Sequence, residues 1–200
     1  YVLTGRPGLA EENAKKAYAL KDRVGEIEKF RITSWYYSVV IGDLNKAIEV
    51  LRQQRLMYPR EWVGPNDLAR AYTQLGEFDQ AIGEARESIR LNPNFSGAYR
   101  NLAWPLLSLN RFTEAKDALA QILQREPVST PAHTHLYWIA FTGDDTSGMQ
   151  EQIDWSRGRP DEYVAFDWQT EGAAYVGQWR RAQDFSRRAI DLAGRGDTKE

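Results

Sequence analysis

The sequence predicts an all-α solenoid of antiparallel helix pairs, and three observations carry that prediction. Residues 62–95, WVGPNDLARAYTQLGEFDQAIGEARESIRLNPNF, read as helix, turn, helix and stop. Leu68, Ala69, Tyr72 and Leu75 keep helical spacing, Gly76 interrupts it, Phe78, Ala81, Ile82, Ala85 and Ile89 restart it, and Asn92-Pro93 ends it. The same unit recurs with a 34-residue period: Pro59, Pro93 and Pro127 hold one register, as do Ala47, Ala81 and Ala115, then Leu44, Phe78 and Phe112, then Gly42, Gly76 and Asn110. A single helix pair cannot bury its own apolar face, so stacking against neighbours is obligatory.

Taken in order, residues 1–8 carry Gly5, Pro7 and Gly8 and are expected to form an irregular lead-in. Residues 9–26 predict one helix, with Ala14, Ala17, Tyr18, Leu20 and Val24 on its apolar side and Glu11 and Glu12 near its start, where acids suit the positive helix end. It is read as the second helix of an upstream repeat, on which the rest stacks. Repeat one covers 28–61, with Phe30, Ile32, Trp35, Tyr36 and Val39 on its first helix, Gly42-Asp43 as turn, and Ala47, Ile48, Val50 and Leu51 on its second. Repeat two is 62–95, and repeat three is 96–129 with Tyr99, Leu102, Ala103, Leu106, Phe112, Ala115 and Leu119. Pro105 falls inside its first helix, where it removes a donor and crowds the preceding turn, so a kink or local break is expected near 101–105. Repeat four, 130–160, is expected to be irregular, because Met149 stands where the period calls for Ala and spreads the two helices. Repeat five, 163–193, recovers the pattern through Ala173, Gly177, Ala182, Phe185 and Ala189, and the polar tail 194–200 is expected to fray. Residues 9–193 thus predict a single array.

Leu68, Ala69, Tyr72, Gly76, Phe78, Ala81 and Pro93 sit where the tetratricopeptide repeat family has its signature residues, and the chain is similar to that family. One signature Trp is missing, since Pro65 stands there, and Tyr99 replaces it in the next repeat. The resemblance implies a right-handed superhelix whose first helices line a concave groove. It places Ile32, Tyr36, Asn66, Arg70, Thr73, Arg100, Trp104, Leu107, Thr134, Trp138, Phe141, Asp167 and Glu171 toward that groove. From these, Tyr36, Asn66, Arg70, Thr73, Arg100, Trp104, Leu107, Trp138, Phe141 and Glu171 form the candidate peptide-binding set. Rings supply contact area at low entropic cost, Arg binds carboxylates bidentately, and Asn pairs with backbone amides. Tyr36 and Trp138 are equally open to packing against a neighbouring helix. Family members that clamp a chaperone's C-terminal carboxylate begin that clamp on the first repeat, where this chain has Ile32 and Tyr36, so that ligand is not carried over.

A broader resemblance rests on AYALKDRVGEIEKFRI, GDLNKAIEV, YPREWV, LNRFTEAK, LYWIAFTGDD and EGAAYVGQWRRAQDFSRRAIDLA. In order and spacing these strings resemble the C-terminal tetratricopeptide region of bacterial serine/threonine protein kinases and related multi-domain regulators. It implies a sensor or docking segment whose kinase lies upstream; no glycine-rich loop, HRD or DFG occurs in these residues. An opening at Tyr1, without Met and in mid-pattern, is expected of a piece of a larger protein.

Composition sets the limits on function. A formal charge of -2 argues against a nucleic-acid partner, which calls for a basic face. With zero cysteines there is no disulfide, thiol nucleophile or thiolate metal ligand. His133 and His135 lie two apart, on different faces of a helix, so no shared metal site is expected, and no cofactor either. No apolar run approaches a membrane span of roughly 20 residues. The reading is therefore a non-catalytic protein- or peptide-binding scaffold, cytoplasmic, or extracytoplasmic if the parent has a membrane span upstream. Its alternatives are a self-assembly module stacking through the helices at 9–24 and 185–192, and, remotely, an enzyme.

Overall fold

The structure, a computed structural model, describes residues 7–196, and every element among them is helical. Most of the predicted lead-in and the end of the predicted tail lie outside the described residues. The elements are α1 (Pro7–Ala19), a 3-10 turn (Lys21–Arg23), α2 (Glu26–Trp35) running into a π-wound segment (Tyr36–Ile41), α3 (Leu44–Met57), α4 (Val63–Leu75), α5 (Phe78–Leu91), α6 (Ser96–Ser108), α7 (Phe112–Arg125), α8 (Thr130–Thr142), α9 (Thr146–Ser156), α10 (Tyr163–Tyr175) and α11 (Trp179–Gly196). Pro7, expected to be irregular, opens α1, the helical position where a missing N–H costs nothing. Contacts group the chain into two compact units, Tyr1–Gln121 and Ile122–Glu200.

In the first unit successive helices pack as antiparallel pairs: α2 on α3, α3 on α4, α4 on α5, α5 on α6, with α4 also beside α6. The small residues at the predicted crossings explain the closeness. Ala47, Ala81 and Ala115 are almost completely buried, so facing backbones approach without a side chain between them. Around them Leu51, Leu68, Leu106 and Leu119 are buried to 1% exposure or less, each contributing about 2–3 kcal/mol relative to an exposed side chain. In the second unit α8 pairs with α9 and α10 with α11, while α10 touches α8 and α9 only lightly.

The turns repeat the same backbone conformation at the same register. Gly42 (φ 75), Gly76 (φ 79), Asn110 (φ 57) and Asp144 (φ 52) each close a first helix in the left-handed region. Asn and Asp tolerate that region better than other side-chain-bearing residues. At the fourth turn Gly143 has φ -95 and its neighbour Asp144 takes the left-handed place, which keeps the 34-residue register intact. After two of these turns an Asp caps the next helix: Asp43 accepts from the Lys46 amide at 2.9 Å and Asp145 from the Gly148 amide at 2.9 Å.

Three local features depart from the sequence reading. The single helix expected over residues 9–26 ends at Ala19 and gives way to the 3-10 turn at Lys21–Arg23 before α2 begins at Glu26. The break expected at Pro105 does not occur, because α6 runs unbroken from Ser96 to Ser108 with the proline ring buried among its neighbours. Packing on both sides outweighs one lost backbone hydrogen bond. The first helix of repeat one is longer than its 13-residue counterparts α4, α6, α8 and α10, and the excess is taken up by the π-wound turn at Tyr36–Ile41. Ser34 is buried, and Trp35, expected on the apolar side, stands 40% exposed.

Candidate functional site

The first helices of the first unit bring a polar cluster together on α2, α4 and α6. Asp67 is its centre, a carboxylate almost fully buried in the apolar run of α4. Arg31 of α2 reaches it, Nε to Oδ2 at 3.3 Å, and also pairs with Glu28 at 3.2 Å. Asn66 donates from Nδ2 to Asp67 Oδ1 at 3.3 Å. From α6, the Asn101 amide donates both to Asn66 Oδ1 at 2.8 Å and to the Asn66 carbonyl at 3.1 Å. A chain of side chains therefore ties three consecutive first helices.

Arg70 lies one helical turn along α4, its guanidinium over the Trp35 ring at 4.9 Å. Because Asp67 is engaged by Arg31 and Asn66, Arg70 has no carboxylate within ion-pairing distance among the described residues. Its pKa is lowered from the usual arginine range, chiefly by burial, with nearby Arg31 adding to the effect and Asp67 opposing it. A partly dehydrated cation on an aromatic face, short of an acid, is a place where an incoming carboxylate gains more than at a fully hydrated surface.

The remaining predicted residues fall as follows. Tyr36 stacks on Tyr18 of α1 with ring centroids 3.9 Å apart, so its ring packs against a neighbouring helix. Thr73 returns its hydroxyl to the Ala69 carbonyl at 2.8 Å. On α6, Arg100 and Leu107 are half-buried and Trp104 is 51% exposed. Trp138 and Phe141, in the second unit, pack edge-on to each other at 5.4 Å against a cluster of Tyr137, Ala165 and Trp168. Glu171 is exposed on α10. The structure thus brings Asn66 and Arg70 together, and adds Arg31, Trp35, Asp67 and Asn101, which sequence reasoning missed. The signal was present at Asp67, an acid between Asn66 and Leu68 on the buried side of an otherwise apolar helix, where an unpaired charge is too costly to leave alone.

The two histidines have separate environments. His133 is buried with Nδ1 2.7 Å from Gln152 Oε1 and its ring stacked on Trp155 at 3.6 Å, while Arg159 lies over Trp155 at 4.3 Å. Burial lowers its pKa first, Gln152 partly offsets this, and Arg159 lowers it further; burial alone lowers that of His135. A histidine whose pKa is lowered in the native state binds its proton more readily when unfolded. Stability is then complete above the unfolded value of about 6.5 and declines as pH falls below it. The thermal midpoint is expected to drop between pH 7 and pH 5, and His133→Gln to flatten that slope by at most about 1.4 kcal/mol per pH unit. An unchanged slope in melts at both pH values would assign the dependence to other groups.

Comparisons with known proteins agree with this architecture. Residues 66–95 match the family model described as tetratricopeptide repeat. The small glutamine-rich tetratricopeptide repeat-containing protein 2 of Mycosarcoma maydis is 31% identical over 85 residues, 42% of this chain and 24% of that protein, so the match spans about a quarter of the relative's length. Among solved structures, a tetratricopeptide repeat protein from Parabacteroides merdae superposes with a TM-score of 0.71 at 15% identity, covering 96% of this chain and 75% of that one. Cut9–Hcn1, described as an APC/C hetero-tetramer, gives 0.73 at 15% identity over 93% of this chain and 38% of that one. MamA from Desulfovibrio magneticus gives 0.63 at 17% identity over 88% and 99%. At these identities the structural likeness is one of fold. No helix among the described residues is long and apolar enough to cross a membrane.

Proposed function

We propose that this chain, with its tetratricopeptide repeat at residues 66–95, is a non-catalytic scaffold that binds a protein or peptide ligand on the first-helix face of its first unit. The observation that carries the reading is Arg70, whose guanidinium lies over Trp35 while the nearby acid is engaged elsewhere. A ligand carboxylate binds there bidentately, and the half-exposed Trp104 on α6 offers a ring to the rest of the segment. Asn66 and Asn101 set the spacing of the helices that present these groups. The likeness to the C-terminal region of bacterial serine/threonine kinases supports a regulatory place for this scaffold beside a catalytic part.

The test is affinity capture from the source cell's lysate with the wild type, with Arg70→Glu plus Arg100→Glu, and with Arg70→Gln, all folds compared by circular dichroism. Wild type is expected to hold a partner that the double variant releases. Arg70→Gln, which places no second acid beside Asp67, is expected to weaken binding about tenfold, the worth of one charge-assisted bidentate contact. Equal capture by all three proteins would remove the ligand from this face.

A further inference from the structure

The 34-residue register places Met149 and Ile153 of α9 where α5 has Ala81 and Ala85. On α5 those small residues are fully buried and α6 closes tightly upon the helix; α9, with two bulky side chains at the same places, meets α10 only lightly. The two helix pairs of the second unit are wedged apart, leaving a cleft of about 990 Å³ lined by α8, α9, α10 and α11.

Aromatic side chains of α8 and α10 line one side of the cleft. Gly172 lets α10 approach α8, since a Cβ there would stand 3.1 Å from the Phe141 ring and 3.3 Å from the Tyr137 hydroxyl. Phe141 meets Tyr175 edge-on at 5.6 Å, and Tyr175, 83% exposed, leaves most of its ring uncovered. Two charged residues line the cleft, Asp144 in the α8–α9 turn and Arg181 near the start of α11. Arg181 donates to the neutral Gln178 Oε1 at 2.8 Å and lies over Phe185 at 5.7 Å. Its fork has no ion pair with a carboxylate among the described residues, so most of its donors point to no fixed acid.

Pockets that hold small molecules run from about 300 to about 1,000 Å³, with apolar and aromatic walls and a few polar groups that fix orientation. We propose that this cleft is a second binding site, for an aromatic carboxylate: a planar ring system seated against Phe141 and Tyr175, its single acid group on Arg181. The rings favour a flat apolar body in offset or edge-on contact, and the planar guanidinium favours a carboxylate over a point charge. Asp144 opposes a second acid group and so restricts the ligand to one. The site shares no residue with the first-unit face, and its failure leaves the scaffold reading where it stood.

Calorimetric titration of the whole chain with 2-naphthoate, against 2-naphthalenemethanol and 2-naphthylmethylamine as neutral and cationic counterparts, tests this. The acid is expected to bind saturably at one site, about tenfold more tightly than the alcohol, with the amine weakest. Arg181→Gln is expected to bring the acid down to the alcohol's affinity and leave the alcohol unchanged. Tyr175→Ser is expected to weaken acid and alcohol alike. Both side chains are exposed, so circular dichroism should show both variants folded. Absence of saturable naphthoate binding, equal affinity for acid and alcohol, or preference for the amine would each overturn the proposal.

Discussion

Leu68→Ala is expected to destabilise the first unit by about 3 kcal/mol, within the range for truncating a fully buried leucine. Leu68 has 0% exposure and belongs to one cluster with Ile48, Leu51, Ala71, Tyr72 and Ala81, which spans α3, α4 and α5. The cost has two parts, the lost transfer of the side chain from water and the cavity left behind. The second part is large here, because alanines already set the backbone separation and the helices cannot close further. Urea denaturation followed by helical circular dichroism measures it, with Leu75→Ala on the more exposed end of the same helix as control. If the two variants shifted the midpoint equally, burial of Leu68 would not be what holds the pair.

Trp168→Ala is expected to cost the second unit a similar or larger amount, about 4 kcal/mol, while Trp168→Phe should cost much less. The ring is 3% exposed, stacks on Tyr137 with centroids 5.3 Å apart, and is the largest member of the cluster that joins α8 to α10. Alanine removes all of that area. Phenylalanine keeps most of it and also removes the indole Nε1–H, which is buried with no hydrogen-bond partner among the described residues. Burying such a donor unpaired costs about 1–3 kcal/mol, so its loss offsets part of the area lost with the second ring. Thermal melts of both variants decide the matter. A phenylalanine variant as unstable as the alanine one would mean that the indole N–H is satisfied after all.

Much of the fold was legible because its determinants are local and periodic. Helical spacing around Leu68 and Tyr72, the breakers Gly42 and Gly76, and Ala47, Ala81 and Ala115 at the crossings are each read from a few neighbouring residues, and the structure places all of them in those roles. Met149 stood out as a bulky residue in a small residue's place and was expected to spread α8 from α9, yet those two pack as a pair and it is α9 and α10 that meet only lightly. Less of the candidate site could be read. The period assigned Tyr36 and Trp35 by register alone, but the longer first helix of repeat one takes up its extra length as a π turn, and Trp35 lies beside Arg70 while Tyr36 stacks on Tyr18.

What the sequence determined by itself is the 34-residue helix–turn–helix plan and the positions of its turns, since backbone conformation and amphipathic spacing depend on residues close along the chain. Tertiary structure alone decided which charges meet and which helices part. Asp67 finds Arg31 36 residues away, and Arg70 finds Trp35 on the facing helix. Pro105 stays helical because its neighbours hold it, and Met149 and Ile153 line a cleft where α9 meets α10 only lightly. Those outcomes depend on side-chain volume and charge brought together across helices, which no local pattern records.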